Sequence, residues 1–454
     1  MRAALYIMGG AAALVGAVLA FLVDERLGVL ALAAPAAFLV VASPPAGVAV
    51  LLFTLPLEEM AGLLPTGSIT LKALGLAVIG TWLLHSLVRR RRIAVPGATL
   101  ALLAFVLWGA ASASWAVDPA TATHAAATLV QLLFFYLLVV NVLDRPATLR
   151  PALLAHVGGA VLLSVFALYL VGSGVLQGGR ATIVVGREML LEPNALAGVL
   201  LLPLAICVTG GCDPSRPGGE RLSLAAAGLL CLTTILLTMS RGALVGVVLI
   251  AVLVSVAARR PWIVPLGLLF ALPGLLLAGP ALTERLAEGA TLADRAAGRL
   301  DIWRVGWVII RSHPLLGVGL GCFPGVYLDY LSQATGISWR HALEVAEGLQ
   351  RNPHNTFLGT AAELGVIGLG LLLALLAVHL RQAFVGWRTL HARREPAHAL
   401  LLTGLAGLGA LALVGVSCDI ANRKAFWLAL GLTVLGRGMP ARRVPVPQAE
   451  RWAA

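Results

Sequence analysis

Apolar runs near 20 residues recur along the whole of this chain, and that repetition limits the fold more than any single motif. At about 1.5 Å per residue, a helix of roughly 20 residues crosses the ~30 Å hydrocarbon core of a bilayer. Inside that core every backbone N–H and C=O needs a partner within the protein, so only helices and closed barrels can span it. Strict apolar–polar alternation is absent, which argues against a barrel. The 454 residues are 59% hydrophobic and 12% charged, with a mean hydropathy of +0.93. No soluble domain of this size has that balance. The chain therefore reads as an all-α polytopic integral membrane protein.

Candidate spans fall at 3–23, 27–43, 45–58, 70–88, 97–113, 122–142, 150–172, 193–211, 222–239, 242–258, 262–280, 356–379, 399–418 and 422–437. The break at Ser43-Pro-Pro45 makes the second and third candidates for partial spans, as is the short last one, so the expectation is about 12–14 helices. The first run could pass for a signal peptide, but it continues directly into further spans and reads as a retained helix. The five cysteines are scattered without a C-x-x-C pair, so neither a zinc site nor a disulfide framework is indicated.

The net charge of +12 is carried almost wholly by arginine, with Lys72 and Lys424 the only lysines. In a soluble protein this excess would suggest nucleic acid; in short loops between spans it orients the chain instead. The run Arg89 to Arg92 marks a cytoplasmic loop, and counting spans from it puts Arg145, Arg150, Arg216, Arg221, Arg259, Arg260, Arg388, Arg393, Arg394, Arg442 and Arg443 on the same side. Three polar segments fall on the outer side: loop 173–192, the turn Met239-Ser-Arg-Gly242 and the long loop 281–355. The chain thus divides into N-terminal spans (1–172), spans with arginine-bearing outer loops (173–280), the long outer loop (281–355), C-terminal spans (356–437) and an inner tail (438–454). Within the long loop, Leu300, Trp303, Trp307 and Ile310 recur at spacings of three, four and three, which predicts an amphipathic helix lying on the membrane surface. No internal repeat is visible, so the inverted-repeat signature of many transporters is missing.

One polar stretch stands out. In Arg351-Asn-Pro-His-Asn355 a histidine, His354, meets the start of an apolar helix, with Glu363 inside the run that follows. A titratable imidazole at a water–membrane boundary can move a proton beside a greasy substrate, and an intramembrane carboxylate is expensive enough to need a reason. The bland alternative is a helix start with Asn355 as its cap. The outer face also collects Arg180, Arg187, Arg241, Arg299 and Arg304. Guanidinium forks pair with phosphate oxygens and stay charged, though each could equally hold a lipid headgroup. Arg241, between two apolar runs, is the one whose charge most needs a partner. Pro193 and Asn194 make an ordinary helix start. Gly317-Val-Gly-Leu-Gly321 has no strand before it, so it reads as a tight turn rather than a nucleotide loop. Asp24 and Glu25 could mimic metal-binding carboxylates but lack a second acidic cluster. His313 and His341 are reserve candidates for a base; His85, His124, His156, His379, His391 and His398 read as structural.

Four segments together resemble the O-antigen ligase and polymerase superfamily of bacterial inner membranes. They are Arg180 with Glu192-Pro-Asn-Ala-Leu-Ala197; Met239-Ser-Arg-Gly-Ala243; Arg299-Leu-Asp-Ile-Trp303 with His313-Pro-Leu-Leu-Gly-Val-Gly-Leu-Gly321; and Asn352-Pro-His-Asn355 with Ala362-Glu-Leu-Gly365. The family usually has Asp where this chain has Glu192. The resemblance implies a GT-C-type glycosyltransferase fold and an active site at the periplasmic face, which makes 281–355 a periplasmic loop and 438–454 a cytoplasmic tail. It implies a glycan donor carried on undecaprenyl pyrophosphate. Fixed guanidinium groups can stabilise the charge on the leaving pyrophosphate, so no metal or other cofactor is expected. His354 takes the role of base; Arg180, Arg241 and Arg299 take the pyrophosphate, with Arg187 a rival to Arg180; Asn355, Glu363 and Asn194 support them. The acceptor is lipid A-core in a ligase, or a second lipid-linked glycan in a polymerase. A transporter or flippase of lipid-linked sugars is the alternative from another class. Membrane lipids are the remaining partner; nucleic acid is not expected.

Overall fold

The computed structural model describes residues 43–63, 67–176, 179–185, 188–261, 291–337, 351–393, 395 and 397–435. The runs 3–23 and 262–280, almost all of 27–43, the tail 438–454, and Asp24, Glu25, Arg187 and His341 lie outside the described residues. Helices follow the apolar runs: α1 (Pro44–Thr54, continued by a 3-10 segment, Leu55–Leu63), α2 (Gly67–Val88), α3 (Thr99–Ala111), α4 (Pro119–Val142) and α5 (Pro146–Gly172). After a short hairpin of β1 (Ile183–Val185) and β2 (Glu188–Leu191) come α6 (Pro193–Cys212), α7 (Gly218–Leu237) and α8 (Arg241–Ala258). Then follow α9 (Thr291–Ser312), α10 (Phe323–Leu331), α11 (Thr356–Ala392), α12 (His398–Val414) and α13 (Lys424–Leu435). Seven of these are long and apolar enough to cross a membrane, and four shorter apolar helices accompany them. The protein is a multi-pass helical membrane protein, and the two-stranded antiparallel hairpin is its one departure from all-α among the described residues.

Local chemistry explains where the helices begin. Proline opens α1, α4, α5 and α6, where its missing N–H costs nothing. Asp118 caps α4, accepting from the amides of Ala120 and Thr121 at 3.0 and 3.2 Å. Packing then decides the arrangement. Helix α6 is the most enclosed of the long helices, packed on α5, α7, α8 and α12, while α12 also touches α8, α11 and α13. Small residues permit the closest approaches: a Cβ at Gly404 of α12 would press on the α13 backbone at Thr433. Buried histidines serve this core. The Nδ1 atoms of His156 and His379 bond to the carbonyls of Leu52 and Leu375 at 3.0 and 2.9 Å.

The two ends of the bundle differ. At one end Arg260 and Arg221 flank Cys212, Arg259 lies near the His391–His398 pair, and Arg150 and Arg216 share Glu220. These arginines are among those that the span count puts on one side. At the other end lie the hairpin, the starts of α6, α8 and α11, and the turn after α12.

Beside the main core sits a smaller one, made by α9, α10 and the start of α11. Helix α9 forms where the spacing predicted one, and beside the Leu300-Trp303-Trp307-Ile310 stripe it carries a second apolar stripe that packs into this core. Ile302, Val305 and Ile309 are buried at 4, 0 and 0% exposure, packed with Val318, Phe323 and Tyr327. Leu300 and Trp307 stay 45 and 53% exposed. The helix carries two apolar stripes, and periodicity alone could not say which one the loop after it would cover.

Candidate functional site

The segment around His354 is held from three sides. Trp303 of α9 donates its indole N–H to the Pro353 carbonyl at 3.2 Å. Asn355 caps α11, its Oδ1 accepting from the amides of Phe357 and Leu358, both at 3.0 Å. Thr356 ties the helix start to the turn after α12. Its amide donates to the Gly415 carbonyl at 2.7 Å, and its hydroxyl donates to the Cys418 carbonyl and accepts from the Ile420 amide, each at 2.9 Å. Between these anchors His354 adopts φ 45°, the left-handed region that costs an L-residue roughly 1–2 kcal/mol. Its surroundings over-determine that conformation.

The imidazole borders a cavity of about 480 Å³. Glu192, Glu363, Asp419 and Arg423 line the same cavity, with Asn352 and Asn422. His354 Nδ1 stands 3.9 Å from Glu192 Oε1, at the start of α6. Burial holds the imidazole below its ordinary pKa; Glu192 and Asp419 oppose that shift, and the guanidiniums of Arg299 and Arg351 reinforce it. The ring is thereby biased toward its neutral, proton-accepting form. Burial pushes Asp419 up, against the Ala421 amide, the Asn422 side chain and the charge of His354. The Ala421 amide and Asn422 Nδ2 donate to its two oxygens at 3.2 Å each.

Other residues singled out from sequence take varied places. Asn355 and Glu363 line the cavity. Arg299 does not, but lies close enough for its charge to act on His354. Arg180 braces the hairpin region to the bundle: its Nε donates to the Thr238 carbonyl at 2.7 Å and its Nη2 to Asn194 Oδ1 at 3.0 Å. Asn194 is thus a support for Arg180. Arg241 is exposed at the first position of α8 and outside the cavity lining. His313 Nε2 sits 2.6 Å from the Tyr330 hydroxyl and likewise stays outside the cavity lining.

The glycine loop docks beside the site, and its Leu320 and Gly321 line the cavity. Gly317, Gly319 and Gly321 adopt φ of 70, 104 and 76°. The loop docks against a break in α11 at Gly365 (φ 68°, ψ −174°). Amides of Val318 and Gly319 satisfy the Ala362 and Glu363 carbonyls at 3.0 and 2.9 Å, and the Val366 amide donates to Pro314 at 2.9 Å. Trp108 Nε1 takes the Leu364 carbonyl at 3.0 Å. These bonds answer the backbone groups that the break would otherwise leave orphaned in an apolar setting. The Glu363 carboxylate in turn accepts from the amides of Gly321 and of Phe323, the latter at 3.3 Å, so it also fixes the start of α10.

Two cavity residues, Asp419 and Arg423, escaped the sequence reading, as did the pairing of Glu192 with His354. The available signal was Cys418-Asp-Ile-Ala-Asn-Arg-Lys424, a dense polar string between two apolar runs. Among the described residues no three of His, Cys, Asp and Glu come close enough to hold a metal ion.

No curated protein matches the chain. Residues 226–373, which carry Arg241, Arg299, His354 and Glu363, match the family model described as O-antigen ligase, a match that supports the resemblance to the O-antigen ligase and polymerase superfamily.

Proposed function

We propose that the protein is a membrane glycosyltransferase that moves a glycan from undecaprenyl pyrophosphate to a hydroxyl of lipid A-core at the periplasmic face. The observation that carries this reading is His354: a clamped imidazole, biased neutral, beside Glu192 in a cavity. In the proposed step the acceptor oxygen attacks the anomeric carbon while His354 takes its proton. The bond from that carbon to the pyrophosphate oxygen breaks, and undecaprenyl pyrophosphate leaves with the electron pair. Glu192 stabilises the imidazolium that forms. Guanidinium groups meet the charge that develops on the leaving group, so no divalent metal is required by the scheme. Direct displacement inverts the anomeric configuration.

Two observations support the finer points. Arginines gather at the end of the bundle away from the cavity, which suits a cytoplasmic face there and a periplasmic cavity. Apart from Glu363 inside α11, the cavity's ionisable groups His354, Glu192, Asp419 and Arg423 come from helix starts and turns at one end, which favours an enzyme over a flippase with a midplane site. The matched family region supports a ligase- or polymerase-type function in general. Purified protein given a lipid-linked glycan together with lipid A-core should glycosylate the core. Transfer only to a second lipid-linked repeat would make it a polymerase. His354→Ala should lower transfer about 100-fold or more; an unchanged rate would remove the base and favour transport.

A further inference from the structure

Helix α11 turns one face to the cavity. Thr356, Gly359, Thr360, Glu363 and Leu364 all line it, at spacings that fall on one side of a helix. Thr360 is the exception on that face. It is 8% exposed, and its hydroxyl has no hydrogen-bond partner among the described residues. Every other buried threonine among those residues has one. Thr209, Thr234, Thr403 and Thr433 donate to carbonyls three or four residues earlier, at 2.7, 3.0, 3.0 and 2.6 Å. Thr99, Thr182, Thr238 and Thr356 find other partners or a nearby carbonyl. We infer that Thr360 is a binding residue for a sugar hydroxyl of the glycan substrate, on the wall of the cavity that holds His354.

Three features argue for it. Burying a hydroxyl without a hydrogen bond is costly, and the usual remedy in an apolar helix is the carbonyl one turn back. Thr360 forgoes that remedy, which leaves its hydroxyl free both to donate and to accept. The groups around it suit a polyol. Carboxyls of Glu192, Glu363 and Asp419 reach the cavity from three separate elements. A carboxyl accepts from a hydroxyl in either protonation state, and as an ion it repels phosphate, so this wall fits the sugar part of a substrate better than its pyrophosphate. Position agrees as well. Thr360 and His354 border one cavity of about 480 Å³, within the size range of small-ligand sites. Next to Thr360, a Cβ at Gly359 would meet Pro353 Cγ at 2.8 Å, so the close approach that glycine allows holds this face against the segment that carries His354. A sugar ring whose reacting hydroxyl meets His354 thus presents its other hydroxyls to the α11 wall.

This contact rests on the glycan transfer proposed above, and its test separates the two. Thr360→Val keeps the side chain's shape and removes only the hydroxyl. That hydroxyl bonds to nothing among the described residues, so the melting temperature of the full-length protein in detergent should hold or rise. The KM for one glycan substrate should rise about 3–10-fold, the loss expected for one neutral hydrogen bond. A rise for lipid A-core assigns the contact to the acceptor; a rise for the lipid-linked glycan assigns it to the donor. Thr360→Ser, which keeps the hydroxyl, should stay close to the wild-type KM. Binding without turnover is measured with lipid A-core, with the undecaprenyl-pyrophosphate-linked glycan and with undecaprenyl pyrophosphate, which carries no sugar. Thr360→Val should weaken binding of one of the first two by the same factor and leave the third unchanged. Wild-type KM and affinity for both glycans overturn the inference, as does equal weakening of all three lipids. A lowered melting temperature or a lost fold makes the hydroxyl structural and overturns it too. If the wild type transfers sugar to no acceptor but Thr360→Val still loses glycan affinity, the transferase reading falls and the sugar contact stands.

Discussion

Two polar segments in this protein both use left-handed backbone, and they use it for opposite ends. In the loop at 313–321 every positive φ belongs to a glycine, and the loop's amides face the broken turn of α11. In the segment at 352–355 the positive φ belongs to a histidine, which is held at φ 45° with its ring at a cavity. The glycines relieve strain where two backbones must touch. The histidine keeps strain where a side chain must point. A neighbouring pair of segments thus separates a docking loop from a cavity-lining one, and the difference lies in which residue type accepts the unfavourable conformation.

Substitutions can test that contrast. The largest effect is expected at Gly365, where a Cβ would collide with the Leu315 carbonyl and the φ of 68° would be strained as well. Gly365→Ala should cost about 3 kcal/mol or more, read as a lowered melting temperature in detergent. A near-neutral result would mean that the loop does not hold the break. Asn355→Ala removes the cap of α11 and should cost about 1 kcal/mol. It should also lower transfer, because the same residue anchors His354; stability lost with transfer intact would uncouple the clamp from the site.

His354→Gly should do the reverse of the Gly365 change. Stability should hold or rise by at most about 1 kcal/mol as the strain is released, while transfer is lost. A clear loss of stability would show that His354 is a structural residue. The smallest effect concerns pH. In the proposed reaction His354 must be neutral to accept a proton, so transfer should rise with pH through a limb below the ordinary imidazole pKa, because burial disfavours the charged form. Glu192 favours the charged form, so Glu192→Gln should move that limb to still lower pH. A limb that stays in place, or moves upward, would break the pairing.

Much of the architecture was legible as hydropathy. The described spans appear as helices because a bilayer makes helix the cheapest answer for an apolar run, whatever its neighbours. Side-by-side placement was less legible. The inward stripe of α9 depended on Val318, Phe323 and Tyr327 arriving from a later loop. The hairpin at 183–191 depended on pairing that no alternation announced.

The sequence by itself determined that the chain spans a membrane many times, which short loops carry its arginines, and that His354, Asn355 and Glu363 stand at the start of one apolar helix. Those features follow from local composition and from spacing within one element. Only the tertiary structure decided that Glu192, Asp419 and Arg423, far apart along the chain, share a cavity with His354, and that Arg180 bonds to Thr238 and Asn194 instead. The reason is physical. Which helix ends meet is set by packing between separate helices, where small residues allow close approach and large ones refuse it, and no single segment contains that information.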